Sequence, residues 1–139
     1  MSNMTGSRFL AETLRGYGVT TIFFVPSILH SALVEMEKLG IKRVMCHSEK
    51  AAAYMADGYA RTLRRPGVAM AQSVGAANLA AGLQDAYLAS SPVIAITGRW
   101  PTVQKDRHAY QEINHWPIYE PVTKYNTYVD GVDHLPSVL

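Results

Sequence analysis

The sequence predicts an α/β domain built on an open parallel sheet with helices on both faces. Two observations carry this. Short β-branched or apolar runs alternate with longer helical patterns along the chain, a βαβα rhythm. The run "VIAIT" (93–97) is apolar at nearly every position, as in a parallel strand covered on both sides.

The elements follow in order. Segment 4–17, "MTGSRFLAETLRGY", spaces Phe9, Leu10, Thr13, Leu14 and Tyr17 as a helical face, and Gly18 can close it. "TTIFFV" (20–25) is β-branched and aromatic, hence a strand, broken by Pro26 and Ser27. "ILHSALVEMEKLG" (28–40) is a helix with a glycine stop, and "KRVMC" (42–46) a second strand. A helix over 49–63 follows, with Ser48 as its N-cap. "GVAMAQ" (67–72) is a third strand, and 75–89 a helix rich in small residues. Residues 98–110 have no clear period and form a loop; a short helix is expected over 111–115 and a strand over 122–129. "DGVDHLPSVL" starts a helix with Asp133 as a possible cap and stops within it, so residues 1–139 are expected to be one domain missing part of its last helix.

Composition narrows the classes. Of 139 residues, 48% are hydrophobic and 17% charged, enough for one globular core. The net charge is +2, and the cluster Arg61, Arg64, Arg65 lacks interleaved aromatics, so it reads as a solvated helix end and not a nucleic-acid surface. One cysteine excludes an intrachain disulfide and fits a reducing cytoplasm. No stretch approaches the ~20 apolar residues of a membrane span. The amino terminus holds Arg8 and Glu12 without an apolar core, and reads as a helix rather than a signal.

In open parallel sheets the working residues lie beyond the carboxyl ends of the strands. That rule selects 25–27, 46–49, 72–78 and 98–111. Glu49, in "CHSEKAAAYMADGYAR", opens a helix with hardly a polar face. One reading is an acid at a helix N-terminus, stabilised by the dipole by ~0.3–1 kcal/mol. The other is a carboxylate entering an apolar setting, which requires a partner. Helices 49–63 and 75–89 are apolar or small almost all round, so part of their burial is expected to need a second subunit or domain. The five histidines have no metal-ligand spacing. His108 and His115 flank Gln111, where either a pocket or a surface loop is open to them. Cys46 reads as a buried strand-end thiol, and Trp100 and Trp116 as packing residues. "GVAMAQSVGAAN" lacks both the dinucleotide fingerprint and the Walker lysine.

Three longer stretches change the weighting of Glu49. "SEKAAAYMADGYAR", "GVAMAQSVGAANLAAGLQDAYLASSPVIAITG" and "AYQEINHWPIYEPVTKY" resemble, in order and spacing, the N-terminal pyrimidine-binding domain of thiamine-diphosphate enzymes, above all the acetolactate synthase group. The likeness covers nearly all of 4–139. It implies that Glu49 shares a proton with N1′ of the cofactor's aminopyrimidine, favouring the tautomer that removes the thiazolium C2 proton before attack on a 2-oxo acid. It implies further that Gln111 lies on the substrate side, that Gly75 and Asn78 lie near the pyrimidine and a subunit contact, and that Val25, Pro26 and Ser27 form a loop approaching the cofactor. Ser27 stands where the family has glycine, Ser48 where histidine is frequent, and "QSVGAAN" where "SGPGATN" is common. These departures leave the substrate open. No "GDG" motif occurs, so Mg²⁺ and the diphosphate are expected on another domain or subunit, and this chain alone is expected to be inactive. FAD use is left open. A homo-oligomer is expected. The alternatives are a separate subunit of a sulfo- or phosphonopyruvate decarboxylase type and a non-catalytic assembly module.

Overall fold

The computed structural model describes residues 4–26 and 29–139. Four parallel strands, β1 (Thr21–Phe24), β2 (Lys42–Met45), β3 (Gly67–Gln72) and β4 (Val93–Gly98), form one open sheet in the order β2-β1-β3-β4. Phe23 of β1 stands opposite Val44 on one side and Ala69 on the other, and Ala69 stands opposite Ala95. Alternate residues leave the sheet on opposite faces. Ile22, Phe24, Val68 and Met70 meet α1 (Gly6–Gly16) and α2 (His30–Lys38), whose Leu10, Leu14, Leu33 and Met36 complete that core. Phe23, Ala69 and Ala71 face α3 (Glu49–Leu63) and α4 (Gly75–Leu88) through Ala52, Ala53, Ala56, Leu79 and Leu83. Fully burying a residue such as Leu79 contributes about 1.5–3 kcal/mol.

The α3/α4 face is built from small residues because the layers come very close. A Cβ at Gly67 would lie 2.0 Å from the Ala56 carbonyl oxygen, and one at Gly82 would lie 2.8 Å from that of Lys50. Glycine at both positions brings α3 onto β3 and α4 onto α3. This distance sets how near the two helix N-termini lie.

Several expectations need correction. The surface of α3 and α4 is not one of these: part of its burial is expected to need a second subunit or domain, and Tyr54, Met55, Leu63 and Leu88 are exposed within the chain. Residues 111–115 are turn and irregular chain, and the short helix is α5 (Trp116–Tyr119), with Pro117 in its first turn. Proline has no amide to lose at a helix start and its φ is already helical, so the helix forms there. Residues 122–129 are not a strand. A 3-10 turn over Glu120–Val122 leads into irregular chain, and among the described residues no strand pairs with it. Strand propensity without a neighbour to pack on does not make a strand. Asp133 does not cap the final helix, α6 (Leu135–Val138), but lies within the preceding turn, Val132–His134. The basic cluster is exposed at the end of α3, as expected, with Arg61 also paired to Asp57 at 2.7 Å. Among the described residues no helix is long and apolar enough to cross a membrane.

Candidate active site

The strand order sets the place. The chain leaves β1 for β2 through α2 on one face and leaves β3 for β4, on the other side of the sheet, through α4 on the opposite face. Connections that diverge in this way open a crevice at the carboxyl ends of β1 and β3. Those ends are joined by the Val25 N–H, which donates to the Met70 carbonyl at 3.3 Å, and each is tied to its outer neighbour: Cys46 N–H donates to the Phe24 carbonyl at 2.8 Å, and Ser73 N–H to that of Gly98 at 2.9 Å. The Leu29 amide, at the start of α2, donates to Gln72 Oε1 at 3.2 Å.

Glu49 enters this crevice from α3. Ser48 is extended and caps the helix, its Oγ accepting from the Ala51 amide at 3.2 Å. The cap fixes Glu49 as the first helical residue, beside the positive end of the dipole. The carboxylate is half-buried. Its Oε2 accepts from Asn78 Nδ2, on the second turn of α4, at 3.3 Å. Its Oε1 lies against Gly75, the first residue of α4, where a Cβ would come within 2.4 Å of that oxygen and 3.0 Å of Cδ. Any other side chain would push the carboxylate away. A carboxylate has about four acceptor sites, so one amide leaves capacity for an N–H from a ring. The small residues that bring α4 onto α3 thus also shape a seat for one charged group.

The turn carrying Gly75 is held from a third element. Ser73 is buried and adopts a left-handed conformation, φ +49°. His115 is buried beside it, with Nε2 at 3.0 Å from the Ser73 carbonyl and Nδ1 at 3.0 Å from Thr97 Oγ1. A carbonyl only accepts, so Nε2 carries the proton and Nδ1 accepts from the threonine hydroxyl. Burial, then the charge of Arg99, pushes the His115 imidazole below its ordinary value. Tyr119 donates its hydroxyl to the Ala76 carbonyl at 2.8 Å. Burial, then the negative charge of Glu49, pushes this phenol above its ordinary value and keeps it a neutral donor.

Of the other residues singled out from the sequence, Val25 is half-buried against the α3/α4 core and Pro26 is exposed. Ser27 lies outside the described residues. Gln111 is exposed with φ +60°, and its Nε2 donates to the Tyr110 hydroxyl at 3.3 Å, not to the Glu49–Asn78 pair. The loop carrying it is closed at its base by an Arg99–Glu112 ion pair and by Trp100 Nε1 donating to the Tyr110 carbonyl at 2.8 Å. The structure therefore unites Glu49, Gly75 and Asn78 and leaves Gln111 on a separate tethered loop. His108 is exposed, and His115 is a buried structural partner. Cys46 is buried and its thiol is pushed up by burial, which suits packing better than nucleophilic attack. Sequence reasoning missed Tyr119 altogether and missed the bonding role of His115. The usable signal was Pro117, which marks the start of the helix that follows His115 and carries Tyr119. Two concavities, about 260 and 430 Å³, lie at the opposite ends of the strands, around Val19 and Pro66 and around Ser90 and Pro92.

Comparison with known proteins shows the family to which the chain belongs. The family described as thiamine pyrophosphate enzyme, N-terminal TPP binding domain, matches residues 4–118. The chain is 37% identical over 145 residues to an acetolactate synthase of Arthrospira platensis, covering all of this chain and 25% of that protein. It is 35% identical over 138 residues to the acetolactate synthase isozyme 1 large subunit of Escherichia coli strain K12, covering 97% of this chain and 25% of the relative. It is 35% identical to a chloroplastic acetolactate synthase of Arabidopsis thaliana, covering 96% of this chain and 20% of that protein. The chain spans about a quarter of the length of the first two relatives and a fifth of the third.

Proposed function

The chain belongs to the thiamine pyrophosphate enzyme family as its N-terminal TPP binding domain, and from that membership we propose that residues 1–139 supply the pyrimidine-binding half of an acetolactate synthase-like 2-oxo acid decarboxylase and carboligase. The observation that carries this reading is the seat formed by Gly75, Glu49 and Asn78. It holds one half-buried carboxylate that has, among the described residues, a single protein donor, and so has spare acceptor capacity. That donor set suits a protonated ring nitrogen of an aminopyrimidine. When bound, thiamine diphosphate supplies the nucleophilic carbon and the electron sink for decarboxylation and carbon–carbon bond formation.

The roles of this chain's residues follow. Glu49 Oε1 or Oε2 exchanges a proton with the pyrimidine nitrogen through a charge-assisted hydrogen bond. Asn78 orients the carboxylate, and Gly75 gives it room. Val25 and Pro26, which follow β1, contribute to cofactor binding, and the family resemblance assigns Ser27 to the same role. Gln111, on its tethered loop, faces the 2-oxo acid. Mg²⁺, the diphosphate and any FAD are held by a further domain or subunit, so this chain by itself does not turn over. The exposed Tyr54, Met55 and Leu88 of α3 and α4 fit a second copy or that further domain.

A domain exchange tests the proposal. This chain replaces the homologous quarter of the Escherichia coli isozyme 1 large subunit, and thiamine-diphosphate binding and pyruvate decarboxylation are measured. The proposal predicts that the chimera binds the cofactor and decarboxylates pyruvate, while the 139-residue chain alone does not. A folded chimera that fails to bind thiamine diphosphate contradicts it.

A further inference from the structure

We infer that His115 and Tyr119 are positioning residues for Glu49: they fasten the first turn of α4 from outside and so hold Gly75 and Asn78 against the carboxylate. The inference rests on the reading of Glu49 as the acid that meets the cofactor, and it adds how that acid is kept in place.

The start of α4 is poorly held by its own residues. Its N-cap is Val74, which makes no side-chain cap bond. The preceding Ser73 has φ +49°, a left-handed conformation that costs a serine about 1–2 kcal/mol. Such a junction persists when its surroundings over-determine it. Here the Ser73 amide is held by the Gly98 carbonyl of β4, and the side-chain bonds to the junction's carbonyls come from one short segment. His115 donates to the Ser73 carbonyl and Tyr119 to the Ala76 carbonyl, both bonds being buried. These two carbonyls bracket Gly75, and Asn78 follows two residues later. His115 is itself set by Thr97 at the end of β4, through its other nitrogen. The hold thus runs from the sheet through His115 to the turn, and from α5 through Tyr119 to the helix. Without it, the left-handed junction is free to relax, and Asn78 moves relative to α3. The Glu49–Asn78 contact, at 3.3 Å across two helices, is the first to be lost.

The test is a spectroscopic double-mutant cycle on the ¹⁵N-labelled 139-residue chain, with no cofactor present. Removing the acceptor by Glu49→Ala displaces the side-chain amide resonances of Asn78. That displacement is measured in four backgrounds: wild type, His115→Ala, His115→Gln and Tyr119→Phe. The glutamine amide can donate to Ser73 and accept from Thr97, so it replaces both imidazole bonds. The inference predicts that the displacement falls by about twofold or more in His115→Ala and in Tyr119→Phe, and returns with His115→Gln. A full wild-type displacement in folded His115→Ala, or in the near-isosteric Tyr119→Phe if the alanine variant does not fold, overturns it. Failure of the cofactor reading looks different: the cycle stays coupled, while cofactor activation in the assembled enzyme ignores Glu49.

Discussion

Gly75→Ala separates folding from function at this site. The added Cβ would sit 2.4 Å from Glu49 Oε1, 3.0 Å from Cδ and 3.3 Å from Cγ. Carbon and oxygen at rest need roughly 3.4 Å or more, so the carboxylate must retreat by about 1 Å. What must move is the far end of a side chain on the first residue of a helix, not backbone, so the fold yields at little cost. Alanine also favours the helix over glycine by up to about 1 kcal/mol. Stability should therefore stay within about 1 kcal/mol of wild type. Function should not, because a ~1 Å misplacement of a positioned group can cost ~10²-fold. The assay pairs urea denaturation of the chain with hydrogen–deuterium exchange at C2 of thiamine diphosphate in the assembled enzyme. Wild-type exchange in folded Gly75→Ala would refute the claim that the glycine exists to seat Glu49. A loss of stability above about 3 kcal/mol would refute the claim that the retreat is easy.

The other predictions concern the frame around the site. Gly82→Ala should lower stability by about 1–3 kcal/mol, because the Cβ meets the Lys50 carbonyl at 2.8 Å. Gly67→Ala should cost more, since the Ala56 carbonyl stands only 2.0 Å away and is also backbone; urea midpoints give the order. Arg61 holds the Asp57 carboxyl below the ordinary carboxylate range. The folded value is thus depressed, so this pair's stabilisation is present above the unfolded value of about 3.9 and is lost as pH falls through the lower folded value. Arg61→Gln should therefore differ from wild type at neutral pH, with the gap closing as pH falls below the ordinary carboxylate range in denaturation at several pH values. Leu88 is 80% exposed on the outer end of α4, and Leu88→Glu should weaken self-association of the chain in sedimentation without lowering its melting temperature.

The first two-thirds of the chain was legible because its pattern is local and repeated. β-branched runs bounded by proline and glycine became β1 to β4, and the Ser48 cap set the start of α3 at Glu49. Glu49 stood out because a carboxylate at the head of an apolar helix needs a reason. Its partners within the chain were less visible. Asn78 is distant from Glu49 in sequence, and the two meet only because glycines let α4 close onto α3. The family resemblance pointed to Gly75 and Asn78, but the steric reason for the glycine is a three-dimensional fact. Residues beyond 98 were read poorly because ion pairs and side-chain bonds, not periodicity, organise them. "VTKYNTYV" has strand propensity but no strand beside it among the described residues, and His115 and Tyr119 owe their roles to backbone carbonyls on a distant turn.

The most direct test of the account is Glu49→Gln in the assembled enzyme, read by C2 hydrogen–deuterium exchange of bound thiamine diphosphate alongside circular dichroism. Glutamine keeps the shape and can still accept from Asn78, but it cannot exchange a proton with a ring nitrogen. The account predicts an unchanged fold and an exchange rate lowered by ~10²-fold or more. Exchange at the wild-type rate would contradict it and leave Glu49 as a helix-start charge held by Asn78.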